Sequence, residues 1–476
     1  MYQLDHWIGG QSVAPQGGDY LEAVNPSTGR VAGRVAAGTA ADVERAVAAA
    51  LAAADGWRRF PAAERGRIML AIAAAIRANS DHLAVLEQAD TGKPLATALA
   101  EIEGSAAYFE FYGSLVYLPA GDVLDVAPDQ HVFTRREPFG LVGVITPWNL
   151  PLNQAARAIA PALTAGNVVV AKPSEVTSQT TIAMAALANE AGLPDGVINI
   201  VLGTGAAVGE AIVRHPAVRK VAFTGSVGVG QAIGRIAAER IIPLTLELGG
   251  KSANIVFEDA DLELAARESV KGFTLNAGQV CSAGTRILVQ RGVYEDFLAA
   301  ARTAIAALVP GENLGPIITA PQFRRVQGFF EVARKDGARL VTGGRVASVA
   351  GSPEGHFIEP TLYADVSNKM RIAREEVFGP VGVVIPFETE QEAISIANDS
   401  DYGLIGTLWT RDISRALRVA DRIDAGQIFV NVWNTMSVQT PFGGHKYSGY
   451  GREKGIEALH HYGHVKTVTI RMELPG

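Results

Sequence analysis

Apolar positions along the chain follow two spacings, and the change from one to the other divides it. Near the N-terminus Val43, Val47, Ala50, Leu51 and Ala54 recur at helical intervals and predict an amphipathic helix over 43–54. Met69, Ile72 and Ile76 predict a second over 62–79, and Asp81 opens a third through Leu86. From Leu141 short apolar runs take over, at 141–145, 167–171, 197–202, 218–223 and 244–248. Helical stretches at 152–164, 178–190, 206–214 and 227–238 separate them. Buried strands alternating with helices predict βαβ units and a mostly parallel, doubly wound sheet of the Rossmann-like kind.

A second alternating block follows. Strands are expected at 252–257, 286–290, 381–387, 405–409 and 427–431, with helices at 261–275, 293–307, 321–336, 389–397 and 412–423. Residues 343–356 read as an exposed loop, because glycines and a proline crowd there. Two β-leaning pieces fit neither block: 116–138, with Pro119, Gly121 and Pro128, and the tail 465–472, where Val465, Thr467 and Thr469 alternate with Lys466, Val468 and Ile470. They are expected to form strands outside the main sheets and to serve oligomerisation. The division is thus 1–115 with 139–249 as a dinucleotide-binding domain, 250–450 as a second α/β domain, and 116–138 with 462–476 as oligomerisation strands.

Composition narrows the class. Hydrophobic residues make up 48% and charged residues 19% of 476, so the chain can fill large cores. A net charge of −7 offers no basic face for phosphates, which excludes nucleic acid as an expected partner. The first ten residues lack the basic and apolar segments of a signal peptide, and no apolar run is long enough to span a bilayer. With one cysteine, these features predict a cytoplasmic protein without membrane association.

That cysteine, Cys281, sits between small residues in Gly278-Gln279-Val280-Cys281-Ser282-Ala283-Gly284. By itself it is a nucleophile, a metal ligand or a small core residue. Asn149 follows the run 141–145, where α/β folds receive ligands; it is either a donor to a developing oxyanion or a turn residue before Pro151. Glu247 ends an apolar strand ahead of Gly249 and Gly250. A carboxylate there is either desolvated, which suits a general base near neutral pH, or paired with Lys251 or local backbone. Together the three supply the parts of covalent chemistry on a carbonyl. Lys172 to Glu175 follow another strand, and Glu175 could hold ribose hydroxyls. The turn Phe223-Thr224-Gly225-Ser226 opens a helix and would let backbone N–H groups approach a pyrophosphate, although it is not G-x-G-x-x-G.

Seven ordered motifs carry a resemblance that covers nearly the whole chain: PWN at 147–149, KPSE at 172–175, FTGS at 223–226, ELGGK at 247–251, GQVC at 278–281, EEVFGP at 375–380 and PFGGHKYSGYGRE at 441–453. The chain resembles the NAD(P)-dependent aldehyde dehydrogenase superfamily. The resemblance implies that Cys281 attacks an aldehyde, that the Asn149 side chain and the Cys281 N–H hold the oxyanion, and that Glu247 activates the water that hydrolyses the thioester. It implies a cofactor site made of Ile145, Thr146, Trp148, Lys172, Ser174, Glu175, Gly205, Phe223, Gly225, Ser226, Val229, Leu248, Gly249, Glu376 and Phe378, and no metal. Glu175 would repel a 2′-phosphate, so NAD is expected, with NADP possible. A homodimer or homotetramer acting on a small-molecule aldehyde is implied. Arg157, Val280, Ser282 and Trp433 are expected to line the substrate path, with Trp433, Met436 and Val438 forming an apolar mouth.

One departure stands out. Many members carry Lys, assigned to proton movement, where this chain has Ala158, so a relay would run through Glu453 or Lys446 instead. Arg157 opens a second substrate reading, a semialdehyde gripped by its distal carboxylate. A CoA-acylating relative would lack the glutamate found at 247. A fold-only member would not be expected to keep all three reactive residues, and a cofactor-free cysteine hydrolase would need a His base.

Overall fold

The computed structural model describes residues 1–118, 120–434 and 437–473. Two parallel sheets dominate it. The first has eight strands, in the spatial order Gly449–Tyr450, Leu244–Glu247, Val218–Thr224, Leu141–Ile145, Val168–Lys172, Ile198–Ile200, His6–Ile8 and Gln11–Val13. The five central strands run parallel and are almost wholly buried, which is why Leu141–Ile145 and Val168–Lys172 read as near-continuous apolar runs. The helices Ala40–Arg59, Pro151–Thr164, Gln179–Glu190 and Val227–Arg240 cover them. Chain order reverses beside Leu141–Ile145: later strands add on one side as far as Ile198–Ile200 and on the other as far as Leu244–Glu247. In a doubly wound sheet that reversal opens a crevice at the strands' carboxyl ends.

The second sheet has seven strands, ordered Arg339–Thr342, Thr361–Ala364, Val381–Phe387, Arg286–Gln290, Ala253–Val256, Ile405–Trp409 and Gln427–Val430, and only the Arg339–Thr342 edge is antiparallel. Side-chain caps start its helices: Asp261 accepts from the Leu264 N–H at 3.1 Å, and Thr389 from the Glu392 N–H at 3.2 Å. A third, antiparallel sheet joins Val123–Ala127, Gln130–Pro138 and the tail strand Gly463–Arg471. The expected architecture of two α/β units and a small β element is present. Pro119 and residues 474–476 of the two expected oligomerisation segments lie outside the described residues.

Some elements differ from the sequence reading. Helix Leu95–Ser114 was not predicted, because Glu101, Gly104 and Ser105 interrupt its apolar stripe, yet Glu101 and Ser105 are buried beside Ile102, Ala106 and Phe109. The expected helix 206–214 divides into a π turn, Gly205–Gly209, and a short helix, Glu210–Arg214. The strands before residue 37 went unread: most are short and half exposed, so their apolar pattern is weak, and Tyr2–Leu4 and His6–Ile8 take partners distant in sequence. Strand Gly449–Tyr450 pairs with Leu244–Glu247, so the late motif reaches back into the first sheet. Among the described residues no single helix is long and apolar enough to cross a membrane; helices Ala62–Ala78 and Ser80–Thr91 would reach that length only as a pair bent by 71°.

Candidate active site

The crevice expected from the strand order exists. A cavity of about 430 Å³ lies at the carboxyl ends of the central strands of the first sheet, and both Glu247 and Cys281 border it. Three neighbouring strands each deliver one wall. The chain leaving Leu141–Ile145 brings Trp148 and Asn149, the chain leaving Val218–Thr224 brings Gly225 and Ser226, and Leu244–Glu247 ends at Glu247 itself, followed by Leu248 and Gly249. The second sheet closes the cavity with Cys281, Glu376 and Phe378.

Cys281 is set by an unusual backbone. Helix Leu262–Thr274 ends, and Asn276, Ala277 and Gly278 then take left-handed conformations in succession, with φ of 51°, 54° and 73°. Such strain persists only where surroundings hold it. Gln279 does the holding: its Nε2 donates to Asn276 O (2.8 Å) and Pro316 O (3.1 Å), and its Oε1 accepts from the Ile318 N–H (2.8 Å). A side chain at Gly278 would collide with the Gly379 carbonyl, so only glycine fits. The Cys281 N–H has no partner among the described residues. Burial pushes the thiol up to about 12, with Arg157 working downward and the Glu247 and Glu376 carboxylates adding to the rise.

Asn149 faces it. Its Nδ2 donates to the Gln279 carbonyl at 2.8 Å, which leaves its second amide hydrogen free. Its own carbonyl accepts from Asn276 Nδ2 (2.9 Å) and Lys93 Nζ (3.2 Å). Lys93 is buried and also pairs with Glu101 and, at 3.5 Å, with Glu87. The turn reading of Asn149 is therefore replaced by a side chain fixed against the Cys281 loop. Lys93, Asn276 and Gln279 were missed; the available signal was a polar Thr-Gly-Lys between two helical stretches and a Gln beside the cysteine.

Glu247 is buried, and both its carboxylate oxygens lack hydrogen-bond partners in the described structure. It does not pair with Lys251, whose Nζ is likewise unpartnered. Burial raises its proton affinity well above the ordinary carboxylate range, the nearby Glu453 carboxylate adds to this, and Arg157, Arg452 and Lys454 oppose it.

On the far side Glu376 accepts from the Gly250 N–H at 2.9 Å, and burial pushes its carboxyl up to about 7. Phe378, at φ 56°, stands edge-on to Trp148 with ring centroids 5.4 Å apart. Gln322 fixes this segment by donating to Val377 O (2.8 Å) and Phe378 O (2.9 Å), and Arg325 donates to Glu376 O (2.9 Å). Gln154, Gln322, Arg325 and Tyr402 border the cavity without having been foreseen.

Other expected residues are not among its lining. Ile145 and Phe223 are strand residues packed in the core, and the Thr146 N–H bonds Lys172 O at 3.1 Å. Lys172 donates to Glu175 at 2.9 Å at the end of the neighbouring strand, and Ser174 accepts from Ser178 Oγ through its carbonyl. Gly205 opens the π turn, and Val229 lies exposed on its helix. Arg157 is not part of the cavity lining: it is buried in an ion pair with Glu453 and donates to Thr224 Oγ1 at 3.3 Å. Trp433 and Val438 are buried rather than set at an open mouth, and Trp433 packs on Gly272 and Gly284. Val280 is buried, Ser282 Oγ accepts from Asn434 Nδ2 at 3.4 Å, and Met436 lies outside the described residues. Lys446 is tied to Asp424, Asn398 O and Ser400 O and does not line the cavity, whereas Glu453 is close enough to Glu247 to act on its charge.

Comparison with known proteins agrees with this geometry. The sequence profile of the aldehyde dehydrogenase family matches residues 13–468. A betaine aldehyde dehydrogenase of Bacillus subtilis is 42% identical over 87% of this chain and 86% of its own length, and betaine aldehyde dehydrogenase 1 of Rhizobium meliloti is 42% identical over 99% and 98%. The aldehyde dehydrogenase of Bacillus cereus, solved with NAD+, superposes with a TM-score of 0.97 at 38% identity over 99% of this chain and 97% of that one. An indole-3-acetaldehyde dehydrogenase variant of P. syringae, solved with NAD+, gives 0.96 at 38% identity over 98% and 96%. The chain belongs to the aldehyde dehydrogenase family, whose members oxidise an aldehyde to the carboxylic acid as a nicotinamide cofactor is reduced.

Proposed function

We propose that Cys281 is the nucleophile, Asn149 the oxyanion donor and Glu247 the deacylating base of an NAD-dependent aldehyde dehydrogenase. The observation that carries this reading is the meeting of the three side chains in one cavity, with Glu247 unpartnered and one Asn149 amide hydrogen free.

The cofactor reading rests on the opposite half of the cavity. Gly228 has open space where a side chain would stand, and a Cβ on Gly249 would collide with the Glu376 carboxylate, so bare backbone borders the cavity at both positions. Gly225 and Ser226 precede the 14-residue helix Val227–Arg240, a favourable end for a pyrophosphate. Glu376 keeps one carboxylate oxygen free of the Gly250 bond for ribose hydroxyls, and Trp148 and Phe378 offer aromatic surface. Lys172 and Glu175 extend the groove along the next strand, and the Glu175 carboxylate favours NAD over NADP. NAD, when bound, accepts the hydride.

The chain's own groups do the rest. The Cys281 sulfur, once deprotonated, adds to the aldehyde carbon, and the resulting oxyanion is met by the Asn149 amide and the Cys281 N–H. After oxidation, Glu247 takes a proton from the water that attacks the thioester, and the acid departs as Cys281 regains its proton. A base with a raised proton affinity suits that step near neutral pH. The presence of Glu247 favours hydrolysis over transfer to CoA. The burial of Arg157 against Glu453 disfavours a distal carboxylate grip.

The 42% identical relatives carry betaine aldehyde in their names. A quaternary ammonium is recognised by aromatic faces. Phe442, packed in the same core as Cys281, already has the Arg157 and Lys454 cations over its ring. That arrangement favours an uncharged aldehyde. The antiparallel sheet leaves Val123, Leu124, Val126, Val465 and Ile470 exposed, which supports association with further copies as a homodimer or homotetramer. We read 1–115 with 139–249 as the cofactor-binding unit and 250–450 as the catalytic unit, and the single free thiol suits the reducing cytoplasm.

NADH formation at 340 nm with a panel of uncharged, anionic and quaternary-ammonium aldehydes, each with and without CoA, tests the reading. Uncharged aldehydes should give the highest kcat/KM, without dependence on CoA. Turnover that requires CoA, or persists in Cys281→Ala, would reject the mechanism, and a preference for betaine aldehyde would reject the substrate class.

A further inference from the structure

Glu247 borders the cavity, whereas Glu453 and two cations, Arg157 and Lys454, are buried outside its lining yet close enough to act on the Glu247 charge. Arg157 is committed: it pairs with Glu453, bonds Thr224 at 3.3 Å and lies 5.2 Å above the Phe442 ring centroid. Lys454 is not committed. Its ammonium lies 5.1 Å from the centroid of the same ring, only 8% of the residue is exposed, and no hydrogen-bond acceptor among the described residues takes its protons. A buried ammonium left this way is costly unless charge nearby offsets it.

Local backbone holds the lysine there. Phe442 and Glu453 exchange both backbone hydrogen bonds, at 2.6 and 2.8 Å, which anchors residue 453 beside the turn at 442–443. Lys454 then adopts φ 59°, a left-handed conformation that a lysine seldom takes. Gly443, next to Phe442, lies against Glu247: a Cβ there would stand 2.8 Å from Glu247 Oε1. The residue next to the ring beneath Lys454 therefore abuts the proposed base, and Cys281 packs against the same apolar cluster as that ring.

We propose that Lys454 is a positioning residue, a second counter-cation beside Arg157 that favours the ionised forms of both Cys281 and Glu247. The proposal rests on the roles assigned above to those two residues. It also accounts for a chain that has Ala158 buried in helix Pro151–Thr164, since a cation reaches the site from the strand-connecting segment after Glu453 instead. The titratable groups whose charges act on Lys454 are Arg157 from that helix, Cys281 from its loop, Glu247 from its strand and Glu453 on its own segment. Burial pulls the ammonium down to about 8, Arg157 lowers it further, and Cys281, Glu453 and Glu247 act upward, so its charge is present at neutral pH and lost as pH rises through about 8.

Cys281 is the only cysteine, so alkylation by iodoacetamide and thiolate absorbance at 240 nm, each blanked with Cys281→Ser, report on it alone. Neither needs cofactor or turnover. Lys454→Met should slow alkylation about tenfold near pH 7, as for a thiol raised about one unit, and the two rates should converge above about pH 9, where the wild-type lysine is neutral. Lys454→Arg should restore the neutral-pH rate. Superimposable profiles for wild type and Lys454→Met, or a ratio independent of pH, would overturn the proposal. Lys454→Gln provides the same reading should the methionine variant misfold. Activity surviving in Cys281→Ala would instead reject the underlying roles, which keeps the two failures apart.

Discussion

The two walls of the cavity are built on opposite principles. Around Asn149 and Cys281 the anchoring polar groups are bonded: Gln279 is engaged through both side-chain ends and its carbonyl, and the Asn149 backbone is held by Lys93 and Asn276. Around Glu247 the reactive atoms are left bare, and burial first, with neighbouring charges second, sets their state. The difference fits the proposed tasks. An oxyanion donor acts by being in place before charge develops, so its position must be over-determined. A base acts by changing protonation, and burial without a partner raises its proton affinity well above the ordinary carboxylate range.

The comparison can be broken most sharply at the base. Glu247→Gln should lower steady-state turnover by about 10²–10⁴-fold while a single burst of NADH, equal to the enzyme concentration, survives. Loss of the burst with NAD still bound would show that the base serves the first step as well. Asn149→Ala should lower kcat by about 10²–10³-fold and abolish the burst rate in proportion, because the donor serves the first step. An unchanged burst rate would remove Asn149 from the oxyanion site.

A pH profile separates the walls further. Glu247 must be ionised to act, and its affinity for the proton is raised, so kcat limited by deacylation should rise with pH along a limb well above the ordinary carboxylate range. A limb near pH 4.5 would contradict the buried, unpartnered carboxylate. The smallest effect on the chemistry is expected at Lys93. Lys93→Met leaves Glu87 and Glu101 without their cation and should cost about 3–5 kcal/mol in denaturant unfolding, with a modest loss of kcat as Asn149 loosens. Unchanged stability would mean that the buried pair is dispensable to the wall.

Much of this was legible in the chain. The alternation of buried runs and helices from Leu141 onward disclosed the parallel sheet, because a strand covered on both faces has no polar side to hide its signal. Cys281, Glu247 and Asn149 stood out because each is a reactive side chain beside small or turn-forming residues. Helix Leu95–Ser114 was not legible: its buried Glu101 and Ser105 look like solvent-facing residues until Lys93 is seen to pair with Glu101. Arg157 misled for the same reason, since an arginine next to a motif reads as available until its partner, far along the chain, is known.

The sequence by itself determined the layers and the family and singled out the candidate trio, because local periodicity and short motifs survive without knowledge of long-range neighbours. Only the tertiary structure decided which charges face which. It set Arg157 against Glu453, left Glu247 bare and brought Lys454 over Phe442 beside the site. Burial and pairing are properties of the assembled surroundings, and a side chain's protonation depends on those surroundings more than on its identity.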